Sequence, residues 1–186
     1  MRKTLYPGIG IILALCTLFS CTTYSLYSRN LLAGKNLLDQ GEYARAQNFF
    51  QKAAENNIDG AAYTYLAVIA YKQKDFGKAA SMIESAEKRP PDMLSGLRMY
   101  GYKALILIAL NDPGAMRALD DYIARYGSMY PLESINDIKS MRQSGRIDAD
   151  RLEAIIDDEL AWYEKDMELY IYNHVGYYSR DKTDKF

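Results

Sequence analysis

This chain has few residues that could form a disulfide or bind a metal ion through sulfur or imidazole. Its 186 residues include two cysteines, one histidine and one tryptophan. Lysine and arginine number 23 against 24 aspartate and glutamate residues, so neither sign of charge dominates. A chain without a basic excess lacks the electrostatic footprint of nucleic-acid binding and the polybasic patch that holds proteins to anionic lipid. We therefore expect no nucleic-acid partner.

The chain begins with the pattern of an export signal. Arg2 and Lys3 form a short positive end, and an apolar run from Ile9 to Phe19 follows. These are two of the parts of a secretory signal. The run holds about 11 residues, whereas a helix needs roughly 20 apolar residues to span a bilayer. The pattern therefore favours an export signal. An uncleaved anchor and an ordinary secreted protein are the alternatives.

The residues at the end of the run resemble the lipobox of bacterial lipoproteins. Leu18 stands three positions before Cys21, and the small Ser20 directly precedes the cysteine. Phe19 departs from the small or β-branched residue that is usual at its position. The resemblance implies a signal peptide over residues 1–20 and a lipid on Cys21.

Cysteine usage then excludes several kinds of site. Cys16 would be removed with the signal, and the thiol of Cys21 would carry lipid. No thiol is then left for a disulfide, a metal ligand or a nucleophile. We expect no cofactor and no metal, and a domain held together by packing alone. Residues 21–28 are rich in Ser, Thr and Tyr without an amphipathic period, so we predict a short lipidated tether there.

A pattern of small and large residues recurs in the part of the chain that follows. This part is rich in Ala, Leu, Lys, Glu and Gln, which favour helices. In each copy two alanines flank one larger apolar residue, and the second copy lies 33 positions after the first. The repeated positions are Ala46, Phe50 and Ala53, then Ala79, Ile83 and Ala86. Small residues at such points let two helices approach closely.

This pattern resembles the tetratricopeptide repeat (TPR), whose period is about 34 residues. Tyr63, Leu66 and Ala67 match the first helix of the family's motif in the second copy. In the first copy, Gly34 is the small residue at the motif's helix-contact position. A third, degraded copy has the following residues at its matching positions: Tyr102, Leu105, Ala118 and Tyr122.

The resemblance covers about residues 29–131 and implies an all-α fold. That fold is a short TPR-like helical solenoid of two to three helix-turn-helix repeats. Pro91 falls at the closing position of the second copy, and Pro131 lies just past the end of the third. An irregular helical bundle with coincidental alanine spacing is the alternative.

The C-terminal part loses the repeat pattern but keeps helical periodicity. One helix is predicted to end near Gly145, and Asp148 or Asp150 then starts a long helix. Its apolar residues are spaced by three and four positions and predict a helix that caps the open end of the solenoid. We assign residues 132–176 to capping helices and residues 177–186 to a frayed tail. The apolar positions are Leu152, Ile155, Ile156, Leu160, Tyr163, Met167 and Tyr170.

No set of residues forms a convincing catalytic or metal site. His174 lies one turn beyond the apolar stripe of the last helix, where an edge-of-core or exposed role is the simpler interpretation. Asp148 and Asp150 resemble the opening of a calcium loop, but Leu152 and Glu153 stand where that loop needs an oxygen ligand and a glycine. We predict that the chain is not an enzyme. An envelope hydrolase built on carboxylates alone is the least favoured alternative.

In the TPR family, partner segments usually lie in a concave groove formed by the first helix of each repeat. The resemblance implies that the matching positions of this chain contact a partner. Their mixture of lysine, tyrosine and aliphatic residues suits an extended or helical peptide with acidic character. An ordinary surface role is the alternative for each lysine. The candidate groove positions are Lys35, Leu38, Asp39, Thr64, Val68, Tyr71, Lys72 and Lys103.

Together, the lipobox and the repeats predict a membrane-anchored scaffold for proteins of a bacterial cell envelope. The partner would be an envelope protein or peptide, and a lipid on Cys21 would anchor the protein to the membrane. Thr22 follows the cysteine, whereas aspartate there is the usual inner-membrane retention signal in many Gram-negative bacteria. The resemblance therefore favours the periplasmic face of the outer membrane. A self-associating structural component is the alternative, because several of the 17 tyrosines stand outside repeat positions and tyrosine suits contact surfaces.

Overall fold

The part of the chain that the structure describes is built of α-helices. The computed structural model describes the backbone of residues 7–56, 58–89, 93–127 and 134–173, and the side chains of residues 23–56, 58–89, 95–127 and 134–165. No helix among these residues is long and apolar enough to cross a membrane. The helices are α1 (Pro7–Asp39), α2 (Tyr43–Asn56), α3 (Ala61–Lys72), α4 (Phe76–Glu87), α5 (Met93–Ala109), α6 (Ala115–Tyr126), α7 (Ile135–Ser144) and α8 (Ala149–Asn173).

Three helix pairs, α1–α2, α3–α4 and α5–α6, close with the same turn. A residue with positive φ follows the first helix of each pair, and these residues are Gly41, Lys74 and Asn111. The next backbone N–H then donates to the carbonyl five positions earlier. The donors and acceptors are Glu42 and Leu37, Asp75 and Ala70, and Asp112 and Leu107, each pair 2.9 Å apart. This is the Schellman arrangement, which satisfies orphan carbonyls at a helix end. The helix pair is therefore the repeating unit.

Contacts divide the chain into two compact units, Met1–Ile58 and Asp59–Phe186. In unit 1, helices α1 and α2 pack together, and the alanines and Phe50 of the first repeat copy are fully buried. A Cβ atom on Gly34 of α1 would lie 2.7 Å from the Phe50 ring. Glycine is therefore what lets α1 approach α2 at this point.

The structure places residues 21–28 in a helix, whereas the sequence predicted a short tether without periodicity. They lie inside α1, and the Tyr27 side chain is buried. No proline or glycine stands between residues 21 and 28, so nothing in the sequence interrupts the backbone hydrogen bonds of the helix. The helix therefore runs from the apolar N-terminal stretch into the first repeat without a break.

Unit 2 contains two further helix pairs. Helix α3 packs against α4 and α5 packs against α6, while α5 also contacts both α3 and α4. Every described position of α3 is buried except Tyr63 and Lys72. A Cβ atom on Gly60, directly before α3, would lie 2.4 Å from the carbonyl oxygen of Ala86. The backbones at the two ends of this pair therefore touch, which only glycine permits.

The last two helices begin and end where their sequences indicate. Helix α7 ends at Ser144, and Gly145 follows it in the left-handed conformation with φ of 67°. The Asp148 carboxylate accepts a hydrogen bond of 3.0 Å from the Arg151 backbone N–H, so Asp148 and not Asp150 caps α8. Helix α8 packs on α5 and buries its described apolar stripe: Leu152, Ile155, Ile156, Leu160 and Tyr163.

Several predicted features lie outside the described residues. They are the first six residues of the predicted signal, the closing prolines Pro91 and Pro131, His174 and the tail 177–186. The side chains of Cys21, Met167 and Tyr170 also lie outside them. The predictions on these positions stay predictions.

Candidate functional site

The three candidate groove positions of unit 1 lie on the last turns of α1. The side chains of Lys35 and Leu38 are half-buried, and Asp39 is exposed. All three stand within the last five residues of the helix, so they share one end of the α1–α2 pair. Their assignment as partner contacts stays a prediction.

In unit 2, three candidate positions on α3 belong to the core. Thr64 is fully buried, and Val68 and Tyr71 are 4% and 8% exposed. The Thr64 hydroxyl donates a hydrogen bond of 3.0 Å to the Gly60 carbonyl within its own helix. The expectation that these three residues line an open groove is not met, because neighbouring helices cover this side of α3.

Lys72 is half-buried and binds two carboxylates of α8. Its ammonium group donates to Asp157 at 2.6 Å and also to Glu153. Burial alone would lower the pKa of Lys72, but the hydrogen bonds to Asp157 and Glu153 outweigh it and raise that pKa. The lysine is therefore charged and engaged within the protein.

Two residues of α5 also donate hydrogen bonds to carboxylates of α8. The Tyr102 hydroxyl donates to the second oxygen of Asp157 at 2.6 Å. The Arg98 guanidinium donates to Glu164 at 2.7 Å and lies 4.4 Å from the centre of the Tyr65 ring. We call Tyr71, Lys72, Arg98 and Tyr102 the α8-binding face.

The two tyrosines of the α8-binding face support each other. Their rings meet edge to face with centroids 5.5 Å apart, a favoured aromatic geometry. Burial, reinforced by the charge of Glu153, raises the pKa of Tyr71 to about 12. Burial and the charge of Asp157 also raise the pKa of Tyr102 above its usual value. Both hydroxyls therefore remain neutral donors at physiological pH.

Lys103 lies away from the α8-binding face. Its ammonium group donates to Glu87 at the end of α4, at 2.6 Å, and both side chains line a groove between α4 and α5. The structure therefore does not bring the candidate positions of unit 2 together in one open groove. It places Lys72 against α8 and Lys103 against α4.

The sequence pattern did not identify the contact between the α8-binding face and α8. Part of this contact is visible as spacing, because Arg98 and Tyr102 stand four positions apart and share a helix face. Glu153, Asp157 and Glu164 also recur at four and seven positions. Acidic residues beside an apolar stripe are typical of a solvated helix edge, so spacing alone does not separate this contact from an exposed face.

The described residues also include acidic and hydroxyl groups that lie outside the α8-binding face. They contain no group of three histidine, cysteine, aspartate or glutamate side chains placed to hold a metal ion. Asp148, which resembled the start of a calcium loop, caps α8 instead. The buried Tyr122 hydroxyl has no hydrogen-bond partner among these residues, and its ring packs against Tyr126.

Comparison with known proteins supports the helical-repeat fold. A tetratricopeptide repeat family model matches residues 37–98, from the end of α1 into α5. The match supports a protein that contains tetratricopeptide repeats, and the predicted all-α helical-repeat fold is confirmed. No curated protein and no solved structure matches the chain.

Proposed function

We propose that this TPR-containing chain is a lipid-anchored scaffold that holds a protein partner at the membrane of a bacterial cell envelope. The observation that carries the proposal is the match of residues 37–98 to a repeat family that mediates protein–protein interaction. Three helix pairs close with equivalent turns, which supports a repeat protein. Fold alone does not name a partner, so the partner is defined by location as an envelope protein or peptide.

The anchor is the second part of the proposal. Cleavage before Cys21 would free its amino group and thiol for acylation, as the lipobox resemblance implies. One acyl chain binds a membrane only weakly, whereas the three chains of a bacterial lipoprotein give stable anchoring. Residues 22–39 of α1 would then connect the lipid to α2. Thr22 after the cysteine favours the periplasmic face of the outer membrane.

The anchor is tested by metabolic labelling with a fatty-acid analogue. We expect label on the wild-type chain and on Cys16→Ala, and none on Cys21→Ala, which would also keep its signal and run as a larger species. Fractionation of the same cells should move Cys21→Ala out of the outer membrane. Equal labelling of Cys21→Ala and wild type would contradict the anchor.

The scaffold is tested by photo-crosslinking in cells from Lys35 and Leu38, the half-buried groove candidates. The exposed Gln51 on α2 serves as the matched control position. We expect one envelope protein to be captured in stoichiometric amount from Lys35 or Leu38, and not from Gln51. Capture only of abundant proteins, equally from all three positions, would contradict the scaffold.

Self-association is the second candidate function, favoured by exposed apolar residues on α1. Tyr24 is 62% exposed and Leu32 is 61% exposed, and tyrosine suits contact surfaces. Light scattering on the chain without lipid separates the two functions. A monomer at high concentration would contradict self-association and leave the scaffold as the proposal.

A further inference from the structure

A groove lies between α4 and α5, on a part of unit 2 that α8 does not use. Its volume is about 190 Å³. An apolar cavity of about 150 Å³ holds a benzene molecule, so the groove accommodates one leucine or phenyl group. The lining residues are Ala80, Ile83, Glu84, Glu87, Lys103, Ile106 and Leu107.

The floor and rim of this groove differ in chemistry. Ile83 and Ile106 are almost completely buried and form an apolar floor. Glu87 on the rim is paired with Lys103 at 2.6 Å, which cancels both charges. Glu84 is exposed and has no ion-pair partner among the described residues. The rim therefore carries one glutamate without an ion pair among the described residues, beside an apolar floor.

The apolar surface continues beyond the groove along α5. Leu110 donates its backbone N–H to the Ile106 carbonyl at 3.0 Å, so it lies one helical turn past the groove floor. Its side chain is 42% exposed, one of few large apolar side chains with that much exposure. The exposed Leu110 therefore adds apolar contact surface just beyond the groove.

We propose that the α4–α5 groove is the docking site for the scaffold's partner, and that the partner presents an apolar side chain flanked by lysine or arginine. This inference rests on the proposed function and gives it a partner chemistry. That chemistry is opposite to the acidic character that the lysines suggested, because Lys72 and Lys103 are both paired within the protein. Charge complementarity selects the occupant, because Glu84 attracts a cation and repels an acidic segment. The α8-binding face does not compete for this role, since α8 already fills it.

The test uses the full chain in lipid nanodiscs with isotope-labelled isoleucine methyl groups. The probe is a short alanine-based helical peptide with one leucine and an arginine one turn away on each side. A matched peptide has glutamate in place of both arginines, and another has alanine in place of leucine. We expect the arginine peptide to shift the methyl signals of Ile83 and Ile106, and to leave those of Ile138 and Ile156 unchanged.

Variants of the chain separate charge from shape. Glu84→Lys should weaken binding of the arginine peptide about fivefold and strengthen binding of the glutamate peptide, as reversing an exposed ion pair predicts. Glu55→Lys on α2, which also reverses an exposed glutamate, should leave both affinities unchanged.

Three outcomes would overturn the inference. They are equal affinity for the arginine and glutamate peptides, shifts confined to Ile138 or Ile156, and binding of the arginine peptide weaker than about 1 mM. None of these outcomes would contradict the proposed function if crosslinking from Lys35 or Leu38 still captures one envelope protein. If that capture is lost while the peptide still binds, the proposed function is contradicted instead.

Discussion

At the scale of single residues, small side chains set how closely paired helices approach. The alanines of both repeat copies are fully buried, and Gly34 and Gly60 stand where a Cβ atom would collide with a ring or a carbonyl. Lys74 and Asn111 show the opposite case, because both adopt a positive φ without being glycine. Such a conformation costs an ordinary residue about 1 kcal/mol or more. The Schellman hydrogen bonds of the turn therefore override the local preference.

Gly60→Ala tests the closest of these contacts. A Cβ atom 2.4 Å from the Ala86 carbonyl oxygen forces the backbones apart, so we expect a loss of about 2–3 kcal/mol in the free energy of unfolding. Gly77→Ala in α4 is the matched control, because nothing lies within 4 Å of that Cβ position. It should gain about 0.5 kcal/mol from helix propensity. Urea denaturation measures both, and similar values for the two variants would disprove the contact.

At the scale of helices, the sequence predicted the boundary between α7 and α8. Periodicity and caps indicated where α7 ends and α8 begins, because a left-handed glycine and an aspartate cap are local features. The continuation of α1 through residues 21–28 was not predicted. Its Ser, Thr and Tyr residues have weak helix propensity, and Tyr27 gains its stability from burial. Burial depends on residues far along the chain, which local pattern does not report.

The docking of α8 on α3 is tested at Lys72. Lys72→Ala leaves the carboxylates of Glu153 and Asp157 without their cation, so we expect a loss of about 1–2 kcal/mol. Amide hydrogen exchange along α8 should speed up at the same time. Arg151→Ala removes an exposed ion pair to Asp137 and should cost less than about 0.5 kcal/mol. Equal exchange in α8 for both variants would show that Lys72 does not hold the helix.

At the scale of the whole molecule, stability depends on keeping buried tyrosines neutral. Tyr71 has an ordinary pKa of 10.0 and a folded-state pKa of about 12. Burial also raises the pKa of Tyr102 and Tyr122. A raised pKa of this kind contributes stability that is complete below the unfolded value and is lost as pH rises through the folded value. Alkali therefore weakens this part of the protein.

We expect the free energy of unfolding to fall between pH 10 and pH 12 as Tyr71 ionises. Tyr71→Phe should lose about 2 kcal/mol less over that interval than the wild type. Tyr24→Phe, at an exposed tyrosine, is the control and should follow the wild-type curve. Denaturant titrations at several pH values give the comparison. A Tyr71→Phe curve parallel to the wild type would contradict the assignment.

The candidate site was predicted less well than the fold. Position-by-position comparison with the repeat motif placed Thr64, Val68 and Tyr71 on one face of α3, and the structure buries that face. The reason is that a motif describes one repeat, while the neighbours of that repeat decide what remains open. Lys103 shows the same limit, because its partner Glu87 lies on the preceding helix of a different pair.

By itself, the sequence determined the all-α class, the paired helices and the small contact residues, because helix propensity, periodicity and side-chain size act over a few turns. Only the tertiary structure decided which of those surfaces stay open. Helix α8 contacts α3 and α5 through Glu153, Asp157 and Glu164. These residues are separated by more than 50 positions from their partners Lys72, Arg98 and Tyr102. Burial and ion pairing across such distances in sequence depend on the path of the chain, and they left the α4–α5 groove as the surface for a partner.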